Sequence, residues 1–172
     1  MLIGGMKFLE HERHGKRLGR EEARMSEAQN RTIAQRFNED VWGRGDEAVL
    51  EELLASDFVD HGALPGQSPD REGHKRILAA FRSAFPDLSV TTEDIVAEGE
   101  KVVSRWSARG THQGELMGVP PSGNEVTFTG IDVLRIAEGK VVERWAEGND
   151  LEVMQQIGAI PAPGQSEEAS PT

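Results

Sequence analysis

The strongest constraint in this chain is a change of hydrophobic period at Phe85-Pro86-Asp87. Before it, apolar residues recur at helical spacing: Ile33, Phe37 and Val41, then Leu50, Leu53 and Leu54 beyond a Gly43-Arg44-Gly45-Asp46 interruption, then Ile77, Leu78, Phe81 and Phe85. Steps of three and four place residues on one stripe of a helix. This half therefore predicts two helices with a tight corner and a third over 70–85, stopped where Pro86 forbids continuation. Beyond the switch the period is two. Residues 88–96, 101–110, 125–136 and 140–145 are β-branched or aromatic runs separated by Gly-containing turns, the pattern of four strands. Ala97-Glu98-Gly99-Glu100 and Ala137-Glu138-Gly139-Lys140 read as hairpin turns, so these neighbours pair antiparallel. Asp150 to Ile157 closes the pattern as a short helix with Gly158 as terminator.

Helices first and an antiparallel sheet afterwards define an α+β architecture, in which the sheet buries one face against about three N-terminal helices. Strong curvature of such a sheet leaves a hollow. With 172 residues the chain is one domain in length. The folded body is expected over 26–160. Residues 1–25 carry six Lys or Arg against four Glu up to Arg24, and read as a disordered basic leader or as upstream sequence ahead of Met25. Residues 161–172 are rich in Pro, Ser and Glu and read as a disordered tail.

Charge and composition narrow the partners. A net charge of -11 repels a phosphate backbone, which argues against nucleic acid. No cysteine is present, which removes disulfides, thiolate metal sites and thiol nucleophiles and fits a cytoplasmic protein. The apolar runs fall short of the roughly 20 residues that a membrane span needs.

Several separated motifs then appear in one order: His61; Ala84-Phe85-Pro86-Asp87-Leu88; Arg105-Trp106; Gly110-Thr111-His112-Gln113-Gly114; Gly118-Val119-Pro120-Pro121-Ser122-Gly123; Thr129-Gly130-Ile131-Asp132; Gly139-Lys140-Val141-Val142-Glu143; Trp145; Asp150; and Gln156-Ile157-Gly158. Together they resemble the SnoaL-like polyketide and ester cyclase family, of nuclear-transport-factor-2-like fold, over roughly residues 30–160. The resemblance implies a cone-shaped sheet over a deep pocket for a small apolar or aromatic molecule, homo-oligomers built through sheet faces, and no cofactor or metal; an open sheet with an apolar outer face makes a homodimer the expected assembly. It also implies that Asp150 is the general acid and base of an intramolecular ring closure, with histidine nearby. One departure is Arg144, where many members carry His before the tryptophan.

Each candidate residue has a chemical and a structural reading. Asp150 suits proton transfer if it is desolvated, and equally suits the N-cap of the closing helix. His61 can polarise a substrate oxygen or be an ordinary loop histidine. His112 stands in a Gly-rich turn whose backbone demands favour a structural use. Trp106, Phe128, Trp145 and Met117 can line an apolar cavity or simply pack the core. Asp132 and Arg144 lie on paired strands at positions suited to an ion pair. The histidines lack the i, i+4 arrangement with Glu of zinc helices.

Three functions compete on this reading. The first is a cyclase or isomerase acting on a polyketide-like carbonyl compound, with Asp150 moving the proton and His61 on the oxygen. The second is a hydrolase or dehydratase, which requires Asp132 or Glu147 to point inward beside Asp150. The third is a non-catalytic ligand-binding module, which requires a cavity apolar throughout.

Overall fold

The computed structural model describes residues 26–64 and 66–161. The leader over 1–25 and the tail beyond 161 lie outside the described residues. Helix α1 is described from residue 26 and passes at 36 into a π-helical segment, Phe37–Gly43, which buries Phe37, Asn38 and Val41. A tight corner follows, and Asp46 starts α2 (Glu47–Leu53) by accepting the Ala48 and Val49 amides at 3.0 Å each. Asp70 does the same for α3 (Arg71–Ala84), accepting the Gly73 amide at 2.8 Å. No described helix is long and apolar enough to cross a membrane.

The sheet has five strands: β1 (Leu54–Asp60), β2 (Ser89–Glu98), β3 (Lys101–Thr111), β4 (Glu125–Ala137) and β5 (Lys140–Gly148). Their spatial order is β1-β5-β4-β3-β2, and α4 (Asp150–Gln156) follows β5. Strands β2 to β5 pair antiparallel through two hairpins. The β4–β5 turn has Glu138 at φ 51° and Gly139 at φ 74°, the left-handed pair that matches strand twist. To the four antiparallel strands expected from the sequence the structure adds one more. Leu54–Asp60 is a fifth strand, parallel to β5, with a register shift between Leu54 and Val59. That irregularity buries Leu54, Phe58 and Asp60 without clean alternation, so Leu54 continues the apolar spacing of α2 and hides the strand.

Inward positions of the two central strands explain the hollow. Along β4 they run Val126, Phe128, Gly130, Asp132, Leu134, Ile136, and along β3 they run Val102, Ser104, Trp106, Ala108. Each row is apolar at both ends and changes character in the middle. One end packs with Phe37, Val41, Leu50, Leu53, Leu54 and Phe58 under α1 and α2. The other packs Phe85, Leu88, Leu116, Val153 and Ile157 around Phe128. Each fully buried Phe or Leu contributes about 1.5–3 kcal/mol of transfer free energy. Between these clusters a glycine and polar side chains occupy inward positions, and there the core does not close.

A candidate active-site cavity

The space left in the middle is a cavity of about 180 Å³. Its walls are apolar where α3, β2, β3 and β4 face it, through Ile77, Phe81, Leu88, Val90, Ala108 and Phe128. Polar groups collect in its inner wall. Asn38, from the π-helical segment, donates to the hydroxyls of Ser104 (3.2 Å) and Thr92 (3.4 Å). Beside it, Arg144 lies between two carboxyl groups. Its Nε donates to Asp132 Oδ1 at 3.0 Å, with Nη2 in ion-pair contact with the same oxygen at 2.9 Å, and its Nη1 donates to Asp60 Oδ2 and Oδ1 at 3.2 and 3.3 Å. The exposures of Asp60 and Asp132, 3% and 2%, mark both carboxyls as desolvated.

The two carboxyls differ in what else they hold. Asp60 accepts the Gly62 amide at 3.0 Å and the His74 Nδ1–H at 2.8 Å. Burial pushes Asp60 up, but the His74 hydrogen bond, the Arg144 charge and the Gly62 amide outweigh it and hold the carboxyl below its ordinary range. For Asp132 burial wins, and the group is raised despite Arg144. The Trp106 indole N–H faces that carboxyl without closing a geometrically sound hydrogen bond on it. Burial lowers His74, which is therefore a neutral imidazole at neutral pH.

Glycine shapes the same wall. Trp106 and Gly130 are cross-strand partners, and a Cβ on Gly130 would lie 2.4 Å from the indole Cζ2 and 2.8 Å from the Glu147 carbonyl oxygen. The bare glycine lets the indole lie flat across β4. Gly130→Ala is expected to push Trp106 into the cavity and to cost about 1–3 kcal/mol, the range for overpacking. Urea unfolding checks this, and an unchanged midpoint would show that the indole is not held there.

The residues expected from the sequence divide between cavity and surface. Asp150 reaches the cavity at its exposed rim, together with Glu147 and Asn149, and Trp106 and Phe128 line its wall. Asp150 is the first residue of α4 rather than its cap, since Asn149 holds the cap position. His61 does not face the cavity: its ring stacks on Trp145 with centroids 4.5 Å apart, and its Nε2 stands 3.9 Å from Glu143. Trp145 is itself outward, because Arg144 and Ala146 take the inward positions on either side of it. Met117 is exposed in a turn at φ 50°, bridged by Leu116 and Val119. His112 is fully buried against Phe85 and accepts the Ser122 amide through Nδ1, holding the loop rather than lining the cavity. The expected Asp132–Arg144 ion pair is present. Asp60, His74 and Asn38 belong to the site and were not anticipated. A histidine on the apolar stripe of α3, one turn before Leu78, was the available signal.

An α+β cone with a side-chain-lined cavity at its centre defines the nuclear-transport-factor-2-like class of fold. The SnoaL-like polyketide cyclase family model matches residues 32–157, and the chain belongs to that family. Among solved structures, TsrD from Streptomyces laurentii is 28% identical with a TM-score of 0.70, over 77% of this chain and 97% of that one. IdmH from Streptomyces antibioticus, provisionally named a polyketide cyclase, is 35% identical with a TM-score of 0.65, over 76% and 98%. AclR from Streptomyces galilaeus, provisionally named a hydroxylase, is 27% identical with a TM-score of 0.71, over 81% and 87%. No curated protein sequence matches the chain.

Proposed function

We propose that this chain is a cofactor-free cyclase or isomerase that moves a proton on a small, largely apolar carbonyl compound. The observation that carries the reading is Asp132: a desolvated carboxyl in the cavity wall, raised by burial and oriented by Arg144. A carboxyl raised toward the working pH can both give and take a proton. The cavity equals the space of about six liquid waters, which suits a compound of one or two rings. Asp150 stays in the proposal as the carboxylate at the mouth, whereas His61 takes no part.

Turnover by Asp132→Asn and Asp150→Asn, measured side by side, tests the assignment. Loss on Asp132→Asn alone supports it, loss on Asp150→Asn alone moves the chemistry to the rim, and no loss in either removes both carboxyls from it. A second reading, hydrolysis or dehydration, is favoured by one feature: Asp132, Glu147 and Asp150 all border the same cavity, as activation of water between carboxylates would require. Incorporation of ¹⁸O from labelled water into product separates the two. A binding module is disfavoured by the charged groups in the wall.

We also propose that the chain works as a cytoplasmic homodimer joined through the outer face of the sheet. Val96, Val103, Val133 and Trp145 are successive cross-strand partners and form one apolar row over four strands. Flanking charges are internally paired, Arg105 with Asp94 (Nε to Oδ2, 2.9 Å) and Arg135 with Glu143 (3.0 Å). An identical face can thus approach despite the net charge of -11. Sedimentation is expected to give twice the chain mass, and Val103→Glu the single mass. A wild-type monomer at micromolar concentration would remove the dimer.

A further inference from the structure

Arg144 is one fixed cation between two buried carboxyls that both border the cavity. Ionising both beside a neutral His74 would leave a net negative charge in a desolvated site. One proton therefore belongs in this cluster, and three groups compete for it: Asp60, Asp132 and His74.

Hydrogen bonding decides the contest. Both Asp60 oxygens are occupied, Oδ1 by the Gly62 amide and Oδ2 by His74 Nδ1–H, with Arg144 touching each. A carboxylate that accepts on every side is held ionised. Asp132 receives Arg144 on Oδ1 alone, which leaves Oδ2 free to carry hydrogen. His74 is a poor home for the charge. Its ring is fully buried among Phe37, Trp42 and Phe58, at centroid distances of 5.5, 5.3 and 5.6 Å, and its Nε2 has no hydrogen-bond partner. An imidazolium there would carry an unsatisfied charged N–H.

We propose that His74 is a positioning residue that decides which cavity carboxyl keeps the shared proton: by donating Nδ1–H to Asp60 it holds Asp60 as the anion paired with Arg144, and leaves Asp132 as the protonated acid. His74 touches no substrate, since it lies behind Asp60. The inference rests on the reading of Asp132 as the proton-carrying group. The groups acting on Asp132 are Arg144 of β5, the Trp106 indole of β3 and, behind Asp60, His74 of α3; Asp60 of β1, Glu147 of β5 and Asp150 of α4 are the other ionisable groups that line the same cavity.

The test is a carboxyl ¹³C NMR titration of full-length, aspartate-labelled protein, with Asp132→Asn identifying the Asp132 signal. In the wild type, the Asp132 midpoint should lie above that of an ordinary aspartate, near 3.9. His74→Phe removes the donor while filling the site. Asp60 then competes for the proton, Arg144 turns to Asp132, and the Asp132 midpoint should fall by about one pH unit or more. His74→Asn keeps an N–H near the Nδ1 position and should restore the wild-type midpoint. Should His74→Phe fail to fold, Asp60→Asn reaches the same end from the other side and should lower the midpoint as well. An Asp132 midpoint at or below the ordinary aspartate value, or one midpoint shared by all variants, overturns the proposal. Because the titration needs no substrate, its failure is distinct from failure of the proposed reaction, which turnover reports.

Discussion

Asp132→Asn is expected to lose 10²- to 10⁴-fold in turnover, about the range that a positioned acid or base contributes, while folding as well as the wild type wherever Asp132 is protonated. The assay is deuterium exchange at the activated carbon of small one- and two-ring β-dicarbonyl compounds, followed by proton NMR. The two halves of the expectation share one cause. A protonated Asp132 is neutral, so asparagine keeps the charge, the size and an oxygen acceptor for Arg144, and removes only the transferable proton. The stability difference should depend on pH in one direction. Burial raises Asp132 in the folded state, so its contribution is fully present below the ordinary aspartate value and is lost as pH rises through the folded value. Asparagine has nothing to titrate, so the variant should gain on the wild type as pH rises from the ordinary aspartate value through the raised folded one. Asp150→Asn, at the exposed rim, is measured beside it and should lose less. A variant at position 132 that turns over normally would place the chemistry outside this carboxyl.

The sequence made the scaffold legible because period and punctuation are local. Helical spacing up to Phe85, alternation from Leu88 onward and the glycines of two hairpins are written within a few residues of the structure they dictate. The site was less legible because its partners meet only in three dimensions. Asp60 and Arg144 come together through a parallel pairing of β1 with β5, and that strand was concealed by a register shift. His74 meets Asp60 because the loop before Asp70 returns α3 to the end of β1, where the Asp60 amide donates to the Pro69 carbonyl. Parity explains the aromatic residues. Trp106 and Phe128 sit at inward positions of β3 and β4, whereas Trp145 falls one residue out of phase and faces His61 on the other side. Asp132 and Arg144 were readable as a pair because both lie on hairpin-linked strands whose register the turn at Glu138-Gly139 sets.

Arg144→Met is expected to destabilise the fold by about 3–5 kcal/mol at pH 7, the range for removing one partner from a buried ionic cluster. Methionine retains length and apolar bulk, so the loss isolates the cation. Its guanidinium gives Asp132 two contacts and Asp60 two more. In the wild type Asp60 is held below its ordinary range, so its contribution is present above the unfolded aspartate value and disappears as pH falls through the folded one. Without Arg144, burial dominates and the sign reverses. The folded Asp60 is then raised, and the variant loses stability as pH rises through that value. The gap between the two proteins should therefore be widest at neutral pH and above, and should narrow to less than half toward pH 4. His74, lowered by burial and further by the Arg144 charge, weakens the wild type below its ordinary value of 6.5; losing the cation relieves part of this in the variant, which narrows the gap further at acid pH. Urea unfolding at pH 7, 5.5 and 4 measures the gap. A gap that is large but constant with pH would mean that Arg144 serves as packing, and that the two carboxyls do not depend on it for their charge.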